Sequence, residues 1–335
     1  MQTSNAEKKR AVVFVTDRGF LVPSIVAALQ VARQPRAVSI ADVFVVLIDM
    51  GSDIIASLTG HFEKSGLNFL PMPSGLFLPP ENTFFNRTHV PRSALGRLAL
   101  HRVLPDRYEH IVYLDGDTQI VGDITPLLCH SVQPGHVAAV PEGNWLCAGD
   151  FGDYWPKHRA YMTSLGIEDP RDYFNSGVLA FRMDTWREMA PKALEYFVRY
   201  PEKCLYHDQS ALNAIFCGRN ERLSPIYNFL SLYAELDVAD KIKPRIIHFT
   251  GGNKPWNYLG PPWNGRFIDI YRTFVERYPM VSSHLRVESR QAIGAHSPSG
   301  VVGYIKDGLV LPWRRRRRRR LLIDYVTKND FVLRE

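Results

Sequence analysis

Between Ala11 and Asp115 short apolar runs alternate with stretches of helical spacing, and few architectures accommodate that alternation. Ala11 to Thr16, Val43 to Asp49, Leu67 to Pro71 and Ile111 to Asp115 are rich in β-branched and aromatic residues, the pattern of strands buried on both faces. Between them Val22 to Arg33 and Ser93 to Val103 repeat apolar residues at helical spacing. Strand and helix in turn predict a parallel sheet with helices on both faces. In open sheets of this kind ligands sit beyond the carboxyl ends of the strands, so polar residues just after strand ends are the first candidates for a site.

The second half is less regular. A loop-rich section runs from Pro141 to Pro170, a strand is expected over Tyr173 to Phe181, and helices are expected over Thr185 to Arg199 and Asp208 to Phe216. A last strand, Arg245 to Phe249, leads into the Gly- and Pro-rich segment Gly251 to Pro262. From Ser282 onward the pattern weakens, there is no internal repeat, and the one low-complexity feature is a run of arginines, Arg314 to Arg320.

That run decides what the charge means. The formal charge is +7 and the run holds seven arginines, so the remainder of the chain is formally neutral. A basic nucleic-acid-binding fold is therefore not indicated, and no helix-turn-helix, zinc or aromatic-interleaved basic motif accompanies the run. With 335 residues and 45% hydrophobic content the chain can bury one large core or two smaller ones. Cys129, Cys147, Cys204 and Cys217 form no CxxC pair, which argues for reduced structural thiols rather than a zinc cluster or disulfide framework. The N-terminal apolar run stops at Thr16 and Asp17, too short for a signal-peptide core. No stretch approaches the roughly 18 apolar residues of a membrane span. A cytoplasmic protein is the expectation.

Two strand ends carry residues suited to chemistry. After Leu114 come Asp115, Gly116 and Asp117, two carboxylates that can turn to one point and offer hard oxygen ligands to a divalent cation. A solvated Asp-Gly turn is the plainer reading. After Ile247 come His248, Phe249, Thr250, Gly251, Gly252, Asn253 and Lys254. His248 can be a third ligand, Gly251 lets backbone amides approach phosphate oxygens, and Lys254 brings positive charge to a leaving diphosphate. Read singly, His248 is a structural histidine and Lys254 a solvated one. Asn175, in the step Asn175-Ser176-Gly177, either marks a bulge or exposes an amide to a sugar hydroxyl. Asp208 and Gln209 open a helix as a cap, or sit beside a sugar ring.

Taken in order, Tyr113-Leu-Asp-Gly-Asp, Tyr173-Phe-Asn-Ser-Gly-Val-Leu, His207-Asp-Gln-Ser-Ala-Leu-Asn, and Ile247-His-Phe-Thr-Gly with Lys254-Pro-Trp resemble glycosyltransferase family 8. That family includes glycogenin and bacterial lipopolysaccharide galactosyl- and glucosyltransferases, and the resemblance spans about Ala11 to Trp256. It implies an α/β GT-A fold, a Rossmann-like mixed sheet with helices on both faces, a smaller acceptor-binding part and a basic C-terminal tail. The chain then divides into a catalytic domain over 11–265, a helical or irregular extension over 266–312 and a basic, aromatic tail over 313–335.

The resemblance also implies Mn²⁺ and a UDP-sugar donor. By position it makes Asp115, Asp117 and His248 the metal ligands, with Gly116 between the acids, and Gly251 and Lys254 the diphosphate contacts. Val15, Thr16 and Asp17 match the strand end that holds uracil, and Phe20 stands where the family has a stacking tyrosine. Arg18 and Gly19 depart from the acid and asparagine common there. Arg97 matches an arginine near the donor sugar and phosphate, and Asn175, Asp208 and Gln209 match residues lining that sugar. The implied reaction retains anomeric configuration, with Gln209 near the anomeric carbon and attack of the acceptor from the face the diphosphate leaves.

The acceptor is expected to be a glycan or glycolipid, as in lipopolysaccharide or surface-polysaccharide assembly. A self-glycosylating, glycogenin-like initiator is the alternative within the class, and a polyanion binder acting through the arginines is the alternative outside it. Trp313 before the run and Leu321, Leu322, Ile323 and Tyr325 after it join dense positive charge to interfacial side chains. This predicts a peripheral protein docked on an anionic inner membrane face, against a plainer reading as a solvated tail.

Overall fold

The computed structural model describes residues 8–78, 92–150, 152–285, 287, 311–329 and 331–333. Four strands, β1 (Arg10–Thr16), β2 (Ala41–Ile48), β3 (Leu67–Met72) and β4 (His110–Leu114), lie parallel in the order β3-β2-β1-β4. Helices α1 (Leu21–Ala32) and α2 (Ser52–Phe62) and a 3₁₀ stretch over Arg92–Arg102 connect them. The alternation read from the sequence is thus present, with boundaries shifted by one or two residues.

The sheet is not parallel throughout. Beyond β4 comes β7 (Phe174–Arg182), antiparallel to both β4 and β6 (Val137–Pro141), and β8 (Asn220–Arg222) closes the edge parallel to β6. A parallel strand at β4 would need a crossover from its far end; here β7 runs straight back along it. The irregularity read at Asn175-Ser176-Gly177 is present: Ala139 pairs with Leu179 and Pro141 with Phe174, so residues 175–178 of β7 stand against Val140 alone of β6.

A second, three-stranded sheet joins β5 (Thr118–Ile120), β10 (Ile246–His248) and β9 (Phe229–Leu230). Its antiparallel register sets His248 opposite Thr118, which brings the two chemically promising strand ends together.

Both faces of the large sheet are buried. Val12 and Phe14 point into the core shared with α1, and Ala11 and Val13 into the core on the other face, where α4 (Met183–Arg199) and α5 (His207–Ile215) lie. All four are fully buried, and each of the larger ones contributes about 1.5–3 kcal/mol by leaving water. Helix α6 (Ile268–Arg277) packs against α1 through Tyr271 and Phe274, in the same core as the sheet.

Two segments differ from the expectation. The loop-rich section contains α3 (Tyr154–Ser164). The arginine run is part of an 18-residue helix, α7 (Leu311–Lys328), that lies on the molecule. Leu322 is fully buried, and Tyr325 meets Trp145 at 4.8 Å between ring centroids. Arg317 and Arg318 both reach Asp150, itself only 7% exposed, and Arg319 lies 3.6 Å from Asp237. The inward arginines are held by acids of the fold; Trp313, Arg315, Arg316 and Arg320 face outward. Of the extension expected over 266–312, residues 288–310 lie outside the described ones. No helix of the described residues is long and apolar enough to cross a membrane.

Candidate metal and nucleotide-sugar site

The site forms where β4 ends against β7 and where β5 meets β10. The Asp115 amide donates to Gly177 O at 2.8 Å, and the Phe249 amide to Asp117 O at 2.9 Å. Both glycines here are required by closeness. A side chain at Gly116 would overlap the Ser24 hydroxyl of α1, and one at Gly177 would overlap the His248 ring and sit 2.8 Å from Asp115 Oδ2. With the backbone pressed this close, Asp115, Asp117 and His248 each offer one ligand atom within 4.8 Å of the others. His248 Nε2 lies 3.2 Å from Asp117 Oδ1 and 3.7 Å from Asp115 Oδ2.

A chain of hydrogen bonds settles which nitrogen of His248 is free. Asn175 Oδ1 accepts from the Gly177 amide at 3.0 Å and its Nδ2 donates to Glu142 at 2.9 Å, so this amide has one orientation. Asn228 must then donate its Nδ2 to Asn175 Oδ1, at 2.8 Å, which turns Asn228 Oδ1 toward His248 Nδ1 at 2.9 Å. An amide oxygen only accepts, so Nδ1 carries a proton and Nε2 is the nitrogen that faces the two carboxylates. Two carboxylates and an imidazole nitrogen turned toward one point fit a divalent cation, and a hydrogen bond at the rear nitrogen is what orients a ligating imidazole.

Cations already crowd the acids. Lys254 Nζ lies 2.5 Å from both Asp117 Oδ2 and Phe249 O. Burial alone would push the Asp117 carboxyl up; Lys254 and His248 overcome it and hold the group well below the usual carboxylate range. Arg97, 4% exposed, lies 3.0 Å from Asp115 Oδ1 and 3.0 Å from Asp208 Oδ2, donates to Ser176 O at 2.5 Å, and covers the Tyr113 ring. Its Nε–H is directed at Ala94 O, so the Asp208 contact is an ion pair rather than a hydrogen bond. Burial works against the guanidinium charge, and Asp115 and Asp208 more than restore it. Asp208 is pushed up to about 6, mainly by burial, with Arg97 opposing and Asp115 adding to the shift.

Gln209 is locked beside this centre. Its Oε1 accepts from the Ser176 amide at 3.1 Å and from Asn175 Nδ2 at 3.2 Å, while its Nε2 donates to Glu142 Oε2 and Tyr173 Oη, both at 3.3 Å. Asn175, Asp208, Gln209, Arg97, Lys254 and the three candidate ligands are therefore one connected cluster.

The residues expected to hold the base divide. Asp17 lines an open cleft of about 520 Å³ at the carboxyl ends of β1 to β3, with Arg18, Gly19, Ile48, Asp49, Ser74, Phe77, Leu78 and Ser93. Both its oxygens are engaged, accepting from the Gly19 amide at 2.8 Å and from Ser93 Oγ at 2.5 Å. Thr16 is buried with its hydroxyl on Asp17 O, and Val15 is half-buried. Phe20 does not line this cleft; its ring meets Trp256 edge-on at 5.9 Å with Lys254 Nζ 5.7 Å away. Gly251, at φ 86°, is exposed in the bend after β10.

Sequence reasoning missed Glu142, Asn228 and Tyr113, whose hydroxyl donates to Asp115 Oδ1 at 2.6 Å. Glu142 directly follows β6 and obeys the strand-end rule; the Pro141 to Pro170 section was read as loop and hid it. Asn228 carries no local signal, because its importance comes from strand pairing in the small sheet.

A family model described as "Glycosyl transferase family 8" matches residues 54–260, more than half the chain. The chain belongs to glycosyl transferase family 8. General stress protein A of Bacillus subtilis (strain 168) is 26% identical over 192 residues, covering 51% of this chain and 61% of that protein. The lipopolysaccharide 1,2-glucosyltransferase of Escherichia coli (strain K12) is 29% identical over 182 residues, covering 50% and 49%. The chain thus spans about half to three-fifths of the length of these curated relatives. Among solved structures, the galactosyltransferase LgtC in complex with donor and acceptor sugar analogs superposes with a TM-score of 0.62 at 20% identity, covering 84% of this chain and 98% of that one. The fold of this family 8 member is GT-A.

Proposed function

We propose that the chain is a retaining glycosyltransferase that moves a hexose, glucose or galactose, from a UDP-sugar to a glycan or glycolipid, in lipopolysaccharide or surface-polysaccharide assembly. Asp115, Asp117 and His248 would hold a divalent cation, Mn²⁺ by preference, since oxygen-rich sites with one histidine suit it. The carrying observation is the meeting of those three ligand atoms within 4.8 Å, with Nε2 of His248 directed at the carboxylates. When bound, the cation supplies charge neutralisation for the departing diphosphate.

The protein's own residues do the rest. Lys254, already beside Asp117, donates to the diphosphate as its charge develops. Arg97 holds Asp115 in place and keeps Asp208 next to the sugar. Asn175 and Gln209, locked by Glu142, Tyr173 and the Ser176 amide, present fixed amides to the sugar hydroxyls. An amide is a weak nucleophile, so we assign retention to attack from the face the diphosphate leaves, with a phosphate oxygen taking the acceptor proton. The cleft beside Asp17 would seat the uracil.

The test is release of UDP from UDP-glucose or UDP-galactose with Mn²⁺, abolished by EDTA. In Mn²⁺, UDP should raise the melting temperature while ADP and GDP do not. Turnover in chelator, or equal protection by all three nucleotides, overturns the metal or the uracil assignment respectively. A membrane role is supported by Trp313, Arg315, Arg316 and Arg320, which face outward from α7. With the inward arginines held by acids, docking on anionic vesicles should be weaker than seven free arginines would give. Co-sedimentation at about 0.15 M salt, compared with a chain ending at Leu311, tests it.

A further inference from the structure

The insert between β6 and β7, residues 142–173, contributes more than Glu142 to the site. Helix α3 sets His158 at 5% exposure among aromatic rings. Tyr154 stacks parallel on it at 5.8 Å with a 4° angle between planes, and Tyr206, from the start of α5, meets it edge-on at 6.3 Å. Tyr173 lies behind, 6.1 Å from His158 and 6.4 Å from Tyr206. Two of these rings reach solvent: Tyr154 is 54% exposed and Tyr206 39%. Exposed aromatics beside a buried aromatic cluster are surface kept free of a partner within the fold.

The cluster has an unspent polar group. His158 Nε2 is buried and has no hydrogen-bond partner, a cost the fold bears unless something else meets it. Burial holds this imidazole below its ordinary pKa, with Glu142 opposing, so the ring is neutral at pH 7 and can form a hydrogen bond to a hydroxyl.

Position ties the wall to the reacting centre. The Gln209 amide donates to Tyr206 O at 3.1 Å, and Gln209 Nε2 to Tyr173 Oη at 3.3 Å. Glu142, which bonds Gln209 and Asn175, also acts electrostatically on Tyr154, His158 and Tyr206. The tyrosines thus stand next to the sugar-side amides.

We propose that Tyr154 and Tyr206, backed by His158, form the acceptor wall: a pyranose packs the C–H face of its ring on the exposed tyrosines. The assignment rests on the glycosyl-transfer reading of the neighbouring cluster. A sugar ring has an apolar face and a polar rim, and the wall offers flat aromatic area beside the polar side chains of Gln209 and Glu142. The occupant is therefore a carbohydrate rather than a peptide or an aliphatic chain.

Two measurements test it separately from the reading it rests on. The first is binding without donor: saturation-transfer NMR with the methyl α- and β-glycosides of glucose and galactose, on the full chain and on Tyr154→Ala, Tyr206→Ala and Tyr154→Phe. At least one glycoside should bind the full chain, about tenfold more weakly to the alanine variants, and equally well to Tyr154→Phe. The second is turnover: UDP release to water should keep its donor KM in Tyr154→Ala, while the KM for the bound glycoside rises. No glycoside binding to the full chain, or equal binding by the alanine variants, overturns the wall. A matching rise in donor KM assigns these tyrosines to general structure instead. Hexose added to the protein and lost in Tyr206→Phe makes the tyrosine itself the acceptor, which also overturns it. Glycoside binding without any UDP release leaves the wall standing and removes the transfer reading.

Discussion

The half of the molecule built on β1 to β4 and the 142–173 insert reach one centre by different physics. The first is made of adjacent βα units whose strands pair in register and bury aliphatic side chains on both faces. Its chemical residues lie at strand ends, held by backbone ladders. The insert has a small core of its own, Met162, Leu165, Ile167 and Tyr173, with Trp155 and Tyr161 packed against it, and Asp150 ties it to Arg317 and Arg318, 167 and 168 residues further on. Rigidity in the first region is a property of local sequence, and in the second it depends on partners far along the chain. A glycosyl transfer reaction suits this division, because the departing diphosphate needs preorganised charge and an acceptor needs a surface that can be varied.

The largest expected effect breaks the first region's chemistry while sparing its fold. Asp117→Ala, or EDTA on the unaltered protein, should lower transfer by about 10³-fold or more. Melting of the variant should stay within a few degrees; an unchanged rate would return the acids to a solvated turn. Next, Arg97→Ala leaves Asp115 and Asp208 facing each other without their shared cation, and should cost about 3–5 kcal/mol in urea unfolding. A cost under about 1 kcal/mol would mean that the pair is solvated.

Smaller changes sharpen the contrast. Asn228→Leu removes the acceptor that fixes the His248 proton and should weaken Mn²⁺ binding about 10–100-fold, read by titration calorimetry. Unaltered affinity would mean that His248 orients itself without help. Asp150→Asn should cost only about 1–2 kcal/mol, since its arginine partners keep about a quarter of their side chains in water. Its effect should fall on hydrogen exchange in 143–164 and spare β1 to β4; uniform loss of protection would erase the distinction between the regions.

Legibility followed the same division. β1 to β4, the DxD turn, His248 and Lys254 were readable because apolar periodicity and strand-end position are local signals. The reversal at β7 was not, since a buried strand reads alike in either direction. Glu142 was hidden by a segment with few periodic residues, and Asn228 by the fact that its two partners come from strands distant in sequence. Arg314 to Arg320 were legible as charge but not as contacts. Composition counts positive groups and is silent on the acids, Asp150 and Asp237, that already hold three of them.

The helix that carries those arginines has a consequence in time. A ribosome adds roughly 5–20 residues each second, so Arg317 is made on the order of 10–30 s after Asp150. Through that interval β1 to β4 can pair and Asp115 and Asp117, which follow β4, can be placed, while Asp150 waits without its arginine partners. Assembly is therefore vectorial: the parallel strands are set early and the insert is fastened late. A nascent chain halted before residue 311 would carry the Asp115, Asp117 and His248 cluster with its insert not yet tied to Arg317 and Arg318.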